Sequence, residues 1–457
     1  MAERLIVVGG DAAGMAAASQ ARRRRDRDDL EIVAFERGHF TSYSSCGIPY
    51  WIGGVVPDRD QLVARDPETF RTSFDIDVRL RHEVTGIDLE RREVVARNLA
   101  GGGEVRERFD QLVYATGAVP LTPDWARTDA DGVFGVQTLD DGAALRDWLD
   151  REPTPRRAVV VGGGYIGVEM AEALIKRGLT VDLVEQADQP MSTVDADMAE
   201  LVSDAMRGIG IGIRTGLTVT GLETRDGRVT AVVTAEGPMP ADVVVLGLGV
   251  RPNIAVAQAA GLPIGPSGGV RTDRRMRVPG VPGVWAAGDC VETLHRVSGL
   301  PVHIPLGTHA NKQGRVAGIN IGGGYATFPG VIGTAVTKVC DLEVGRTGLR
   351  ERDAASAGFE FVSVVAESTS RAGYYPGSRP MTVKLLAERP SGRLLGAQIV
   401  GWSEAAKRID TLAVALWNGM TVDEMTSLDL GYAPPYAPVW DPVLIAARKA
   451  VDALDRR

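Results

Sequence analysis

The chain opens on an apolar, β-branched run, RLIVV, which breaks at glycines and passes into an alanine-rich stretch, then a second apolar run, EIVAF, that ends in an acid. The same order recurs: RRAVVVGGGYIGVEMAEALIKRGLTVDLVEQ at 156–186 repeats the pattern of 4–37. An apolar strand, a glycine turn, a helix and another apolar strand predict a βαβ unit of parallel sheet buried on both faces. Two later runs, LVYATGAVP (112–120) and GVWAAGDC (283–290), read as strands that break at Thr116-Gly117 and Gly288-Asp289. Open parallel sheets collect ligands at the carboxyl ends of their strands, which sets Asp289 beside a site; the alternative is that it caps the next helix.

The glycine turns carry the first chemistry. In the second unit Gly162, Gly164 and Gly167 keep the full G-x-G-x-x-G spacing, and Glu185 closes the next strand 18 residues on. Glycines so placed allow a tight turn, close approach of a pyrophosphate to a helix N-terminus and close helix packing, while the acid takes a ribose 2′-hydroxyl. A carboxylate repels a 2′-phosphate and no Arg or Lys follows in EQADQP, so NADH is favoured and NADPH stays open. The first unit keeps Gly9 and Gly14 but has Asp11 at the middle position, Ala13 before Gly14, and Glu36 as its acid. Two dinucleotide units suggest two dinucleotides, economically a flavin and a nicotinamide.

A length of 457 residues implies more than one domain. The formal charge of -8 argues against a general nucleic-acid binder, although ARRRRDRDD (21–29) is a local basic run, readable as a solvated helix end or as arginines facing a phosphorylated ligand. There is no apolar run of membrane-spanning length and no room for a signal peptide before RLIVV, so no membrane partner and a cytoplasmic location are expected. Cys46, Cys290 and Cys340 have no metal-ligand spacing; neither a disulfide framework nor a metal site is expected.

Taken together, GGDAAG, SYSSCGIPY, ATGAVP, GGGYIGVEMAE, LGLGVRPN, VWAAGDC, PLGTHANKQGRVAG, YYPG and GYAPPY resemble the pyridine nucleotide-disulfide oxidoreductases along essentially the whole chain. More narrowly they resemble the single-cysteine branch of CoA-disulfide reductases, CoA-persulfide or polysulfide reductases and NADH oxidases. The resemblance implies two Rossmann-like domains plus a C-terminal α+β dimerisation domain: FAD-binding at 1–120 and 250–328, NAD(P)H-binding at 121–249 and dimerisation at 329–457. Gly-Pro punctuation at LPIGPSGG and GGGYATFPG is compatible with these borders. It implies an FAD site drawn from Gly9, Ala12, Ala13 and Gly14, from Glu36 with Arg37, and from Ser45, Val84, Ala115, Thr116, Gly117 and Asp289. The helix start at Leu306, Gly307 and Ala310 would face the flavin ring. The implied nicotinamide site comprises Gly162, Gly163, Gly164, Tyr165, Ile166, Gly167 and Gly249, with Glu169 at the carboxamide and Glu185 at the ribose.

Within that frame the thiol of Cys46, in SYSSCGIPYWIGG (42–54), becomes the candidate redox centre. It would begin a helix facing the flavin, where a helix N-terminus lowers a thiol pKa. Dithiol relatives carry a second cysteine five residues on; Trp51 stands there, so Cys46 must cycle through a mixed disulfide, persulfide or sulfenic acid. Cys290 and Cys340 are expected to be structural, the second within the apolar strand TAVTKVCDLEV. Peroxide-reducing relatives have a histidine where Ala12 stands, which points away from a peroxidase. CoA-linked relatives bring two tyrosines from the partner subunit of a homodimer to the thiol; these correspond to Tyr374, with Tyr375 in competition, and Tyr432. For CoA itself the resemblance indicates Arg23, flanked by Arg22 and Arg24, and Ser42, while Ser45 replaces the asparagine common before the cysteine. The expected activity is NAD(P)H-dependent reduction of CoA disulfide or CoA persulfide; the alternatives are O2 reduction and a flavin-binding redox sensor.

Overall fold

The computed structural model describes residues 2–151 and 153–456. Two parallel five-stranded sheets stand at its centre, and each is built outward from the first strand of a βαβ unit. In the first, Glu3–Val8 lies between Leu30–Phe35 and Gln111–Tyr114, with Ile76–Arg79 and Val284–Ala286 at the two edges. In the second, Arg157–Val161 lies between Thr180–Val184 and Val243–Leu246, flanked by Gly212–Arg214 and Val133–Gly135. Strand order therefore reverses beside the first strand of each unit, which opens a crevice at the carboxyl ends. The strands are buried along most of their length, as their unbroken apolar runs require: Leu5, Ile6 and Val7 are fully buried.

The first sheet is completed by chain that returns after the second. Val284–Ala286 pairs in parallel with Gln111–Tyr114, and helix Gly307–Ile321 packs along helix Ala12–Arg22. That approach needs glycine: a Cβ added at Gly314 would stand 2.1 Å from the Ala13 carbonyl oxygen. Each parallel sheet is accompanied by a small antiparallel one, of His82–Asp88, Glu93–Asn98 and Glu104–Arg108 in the first case and Val219–Arg225, Arg228–Thr234 and Gly237–Pro240 in the second.

The C-terminal part is a five-stranded antiparallel sheet in the order Ala335–Val339, Leu342–Gly348, Leu394–Gly401, Pro380–Glu388, Phe361–Thr369. Helices Ala405–Asn418 and Pro442–Asp455 bury their apolar faces against it. Strand Leu394–Gly401 is buried at every position, including Gln398, whose amide bonds Asp195 of the second parallel-sheet region. No helix among the described residues is long and apolar enough to cross a membrane.

Candidate functional site

The two glycine loops are built alike down to single hydrogen bonds. Gly9 and Gly162 follow their strands with φ of +110° and +102°, in the region that favours glycine. The Glu36 carboxylate accepts from the Gly10 N–H at 2.9 Å and the Gly38 N–H at 2.7 Å; Glu185 accepts from Gly163 at 2.7 Å and Ala187 at 2.9 Å. Each acid thus closes its loop over the end of the first strand. Gly164 has nothing within 4 Å of where a Cβ would be, leaving its face open for a ligand. Tyr165 starts helix Tyr165–Lys176, and Ile166 is exposed beside it. Gly249 lies at a left-handed turn whose carbonyl accepts from the Leu121 N–H.

On the flavin side the predicted residues converge. Ala13, Ala287 and Ala310 form a small buried cluster with Ala12 and Ala115 packed on it, joining the glycine-loop helix, two strand ends and the helix that starts at Gly307. Leu306 is the extended N-cap of that helix. The Thr116 hydroxyl donates to the Asn253 carbonyl at 2.7 Å, while Gly117 faces open space. Val84 is buried on the strand that begins at His82, whose N–H donates to the Glu36 carbonyl; Arg37 is exposed at the same end.

Two buried carboxyls test whether these residues fit a flavin dinucleotide. Asp289 follows strand Val284–Ala286, and its side chain accepts no hydrogen bond among the described residues; burial alone pushes its pKa up to about 6. Asp11 accepts only backbone N–H groups, that of Tyr43 at 3.2 Å among them, and burial, with help from Glu36 and Asp289, raises it to about 6 as well. Asp289, a largely buried acceptor without a partner at the crevice, calls for a donor, and a hydroxyl of a ribityl chain supplies one. The residues present fit FAD.

Cys46 lies between these halves. It sits in the turn Ser45–Gly47 that leads into helix Ile48–Ile52, and Ser42, at φ +49°, ties the segment to the first loop by donating its N–H to the Gly10 carbonyl. Although the residue is exposed as a whole, its thiol pKa is pushed up, first by burial of the sulfur, then by the charge of Glu169, with Asp289 adding and a Ser45 hydrogen bond opposing. The direction is opposite to the lowering expected of a helix N-terminus: the helix spans only five residues, and burial of the sulfur, followed by Glu169 and Asp289, pushes the thiol up. Glu169 is itself raised by burial while accepting from the Thr337 hydroxyl at 2.7 Å. Tyr50, one turn beyond Cys46, is pushed up to about 12 by burial and by Glu169.

Cys290 is buried, within hydrogen-bonding distance of the Tyr114 and Ala287 carbonyls, and raised to about 12 by burial. Cys340 does not lie within a strand as expected. It occupies the turn between Ala335–Val339 and Leu342–Gly348 with φ +55°, its N–H donating to Glu172. The basic run also divides: Arg22 donates to the Leu30, Phe74 and Asp75 carbonyls, Arg24 to Gln20, and Arg25 pairs with Asp29 and Glu3. Arg23, just past the helix, is exposed, and its guanidinium has no hydrogen-bond or ion-pair partner among the described residues. Tyr374 and Tyr432 are exposed on the C-terminal part, where the Tyr374 phenol raises the pKa of Tyr432, whereas the N–H of Tyr375 is used in a turn to Ala372. Sequence reasoning missed Tyr50, Thr337 and the raised carboxyl of Asp11. Tyr50 had a signal in its i+4 spacing from Cys46; Thr337 had none, because its partner comes from another element.

Residues 3–314 match the profile described as pyridine nucleotide-disulphide oxidoreductase, and residues 334–442 match its dimerisation domain. The NAD(P)H coenzyme A polysulfide/persulfide reductase of Pyrococcus horikoshii is 37% identical over 98% of both chains. An NADH oxidase of Methanocaldococcus jannaschii is 35% identical over 99% of this chain and 100% of its own. A solved NAD-dependent persulfide reductase from A. fulgidus superposes with a TM-score of 0.94 at 40% identity, covering 99% of this chain and 83% of that one.

Proposed function

The chain belongs to the pyridine nucleotide-disulphide oxidoreductase family, and on that premise we propose that it is an FAD-dependent NAD(P)H oxidoreductase that reduces CoA disulfide or CoA persulfide and polysulfide through Cys46. One observation carries the reading: Cys46 feels both Glu169, on the helix of the nicotinamide loop, and Asp289, at the strand end on the flavin side. A single thiol stands where the two dinucleotide units meet. The FAD-binding part is 1–120 with 250–328, the NAD(P)H-binding part 121–249, and the dimerisation part 329–457.

FAD, held by the Gly9 loop, Glu36, Asp289 and the Gly307 helix start, supplies when bound the electron pair, received from the nicotinamide as hydride, that opens a disulfide at the thiol. The chain's own residues handle sulfur and proton. The Cys46 sulfur attacks one sulfur of the substrate; the substrate S–S bond breaks, a thiolate leaves, and Cys46 retains the other half as a mixed disulfide. Tyr432 of a second copy, its pKa raised by the neighbouring Tyr374 phenol, donates to the leaving sulfur. The dimer draws support from the matched dimerisation domain and from the exposed Tyr436, Val439 and Trp440 near Tyr432 in sequence. Arg23 offers its free guanidinium to a CoA phosphate. Three free cysteines suit a reducing cytoplasm.

Protein denatured without reductant and weighed by mass spectrometry should carry CoA in disulfide linkage on Cys46, and Cys46→Ser should abolish CoA-disulfide reduction. Free Cys46 with NADH oxidation that survives Cys46→Ser supports the second reading, reduction of O2, which the oxidase relative favours.

A further inference from the structure

A short strap crosses the nicotinamide loop. Met191 donates its N–H to the Gly163 carbonyl at 2.7 Å, and Pro190 covers Gly163 so closely that a Cβ there would stand 2.8 Å from it. Met191 is fully buried and held at φ +54°, a conformation unfavourable for a non-glycine residue that persists only where the surroundings impose it.

Those surroundings belong to the C-terminal sheet. Arg346 donates to the Thr193 carbonyl at 3.0 Å, and Arg350 donates to the Ser192 carbonyl. At the far end of the strap, Asp195 donates its N–H to Gln398 at 2.7 Å and accepts from the Glu351 N–H and the Gln398 amide. Lys384, 3% exposed, adds an ion pair to Asp195 at 3.4 Å and stronger ones to Asp197 and Glu351 at 2.8 and 2.9 Å. Arg346 is the unusual member. Among the described residues it forms no direct ion pair, and its donors go to the carbonyls of Thr193 and Gly348. A buried guanidinium without a contacting carboxylate is costly to keep, and here its bonds fix backbone.

We infer that Arg346 is a positioning residue for the nicotinamide dinucleotide: by holding the Thr193 carbonyl it presses the 190–195 strap onto Gly163, so that the C-terminal sheet sets the affinity of a loop carried by another domain. The inference rests on the nicotinamide reading proposed above. Removing the guanidinium frees the strap to leave the loop, which weakens dinucleotide binding and leaves the thiol chemistry intact.

The test compares the flavin-loaded wild-type protein with Arg346→Met, Arg346→Lys and Arg350→Met. In Arg346→Met, amide exchange over 187–195 should accelerate, the Kd for NAD+ and for ADP-ribose should rise about tenfold, and KM for NADH should rise in step. At saturating NADH, kcat should stay within about twofold and the FAD content should not change. Arg346→Lys should recover part of the affinity. If Arg346→Met fails to fold, Arg350→Met, which releases the adjacent Ser192 carbonyl, should show the same split. Unchanged NAD+ affinity despite faster exchange overturns the inference, as does a parallel loss of kcat, affinity and FAD. Failure of the wild-type protein to bind NAD+ or ADP-ribose would instead sink the nicotinamide reading on which it stands.

Discussion

The phenols of Tyr374 and Tyr432 are neighbours on an exposed face, and the Tyr374 phenol, ahead of any burial, raises the pKa of Tyr432. A phenol so placed stays protonated and is suited to give a proton to a leaving thiolate. Tyr432→Phe and Tyr374→Phe should each lower CoA-disulfide turnover, by about a hundredfold and about tenfold, while reduction of the bound flavin by NADH keeps its rate. Tyr375→Phe should be close to neutral. Stopped-flow spectra beside steady-state rates separate the two half-reactions, and equal effects of all three substitutions would remove the tyrosine pair from the mechanism.

Cys46 is raised above an ordinary thiol by burial and by Glu169, so its alkylation should climb with pH through a midpoint higher than that of a free thiol. Because the folded thiol is the weaker acid, the stability it contributes is complete below the unfolded pKa and is lost as pH rises through the folded one. Glu169→Gln removes the nearby charge and should move the alkylation midpoint down. Iodoacetamide rates against pH measure it; a profile that does not move would show that Glu169 does not govern the thiol.

Asp289 carries a prediction with a defined pH window. Its folded pKa of about 6 stands above the ordinary 3.8, so its stabilising contribution is complete below 3.8, fades between the two values and is absent at pH 7. Asp289→Asn should stabilise the flavin-free protein at pH 7 by about 2 kcal/mol and change it little at pH 4, while reducing FAD retention. Urea unfolding at the two pH values checks the sign, and an equal gain at both would point to some cause other than ionisation.

Glu185 satisfies two loop amides at 2.7 and 2.9 Å. Glu185→Ala should cost about 1–3 kcal/mol of stability through the orphaned N–H groups and raise KM for NADH, whereas Glu185→Gln should keep one acceptor and lose less. Thermal melting together with NADH titration distinguishes a loosened loop from a lost ribose contact: in the first case both quantities change, in the second only KM.

Much of this architecture was legible in the chain because the determinants are local. Gly9, Gly14, Gly162 and Gly167 are demanded by backbone that comes within contact of where their Cβ atoms would be, and the strands before them are apolar because both faces are covered. Cys340 was misplaced because apolar residues run on either side of a two-residue turn, Cys340-Asp341, which contains no glycine or proline to mark it. The pKa of Cys46 was hidden for a different reason. It depends on burial of the sulfur and then on Glu169, and only the assembled fold brings either about. The tie from Arg346 to Thr193 is equally silent in sequence, since an arginine bound to a distant carbonyl leaves no spacing to read.

The late return of Val284–Ala286 and helix Gly307–Ile321 to the first sheet also sets an order of assembly. As the chain leaves the ribosome, strands from Val133–Gly135 to Val243–Leu246 can close their own sheet, while the sheet that begins at Glu3 still lacks an edge and helix Ala12–Arg22 lacks its packing partner. The part made first is finished after the part made second. During synthesis the exposed edge of Gln111–Tyr114 waits until Val284–Ala286 emerges and the bare alanine face of Ala12–Arg22 until Gly307–Ile321 does, so the amino-terminal region is the segment most dependent on protection from aggregation before residue 321 emerges.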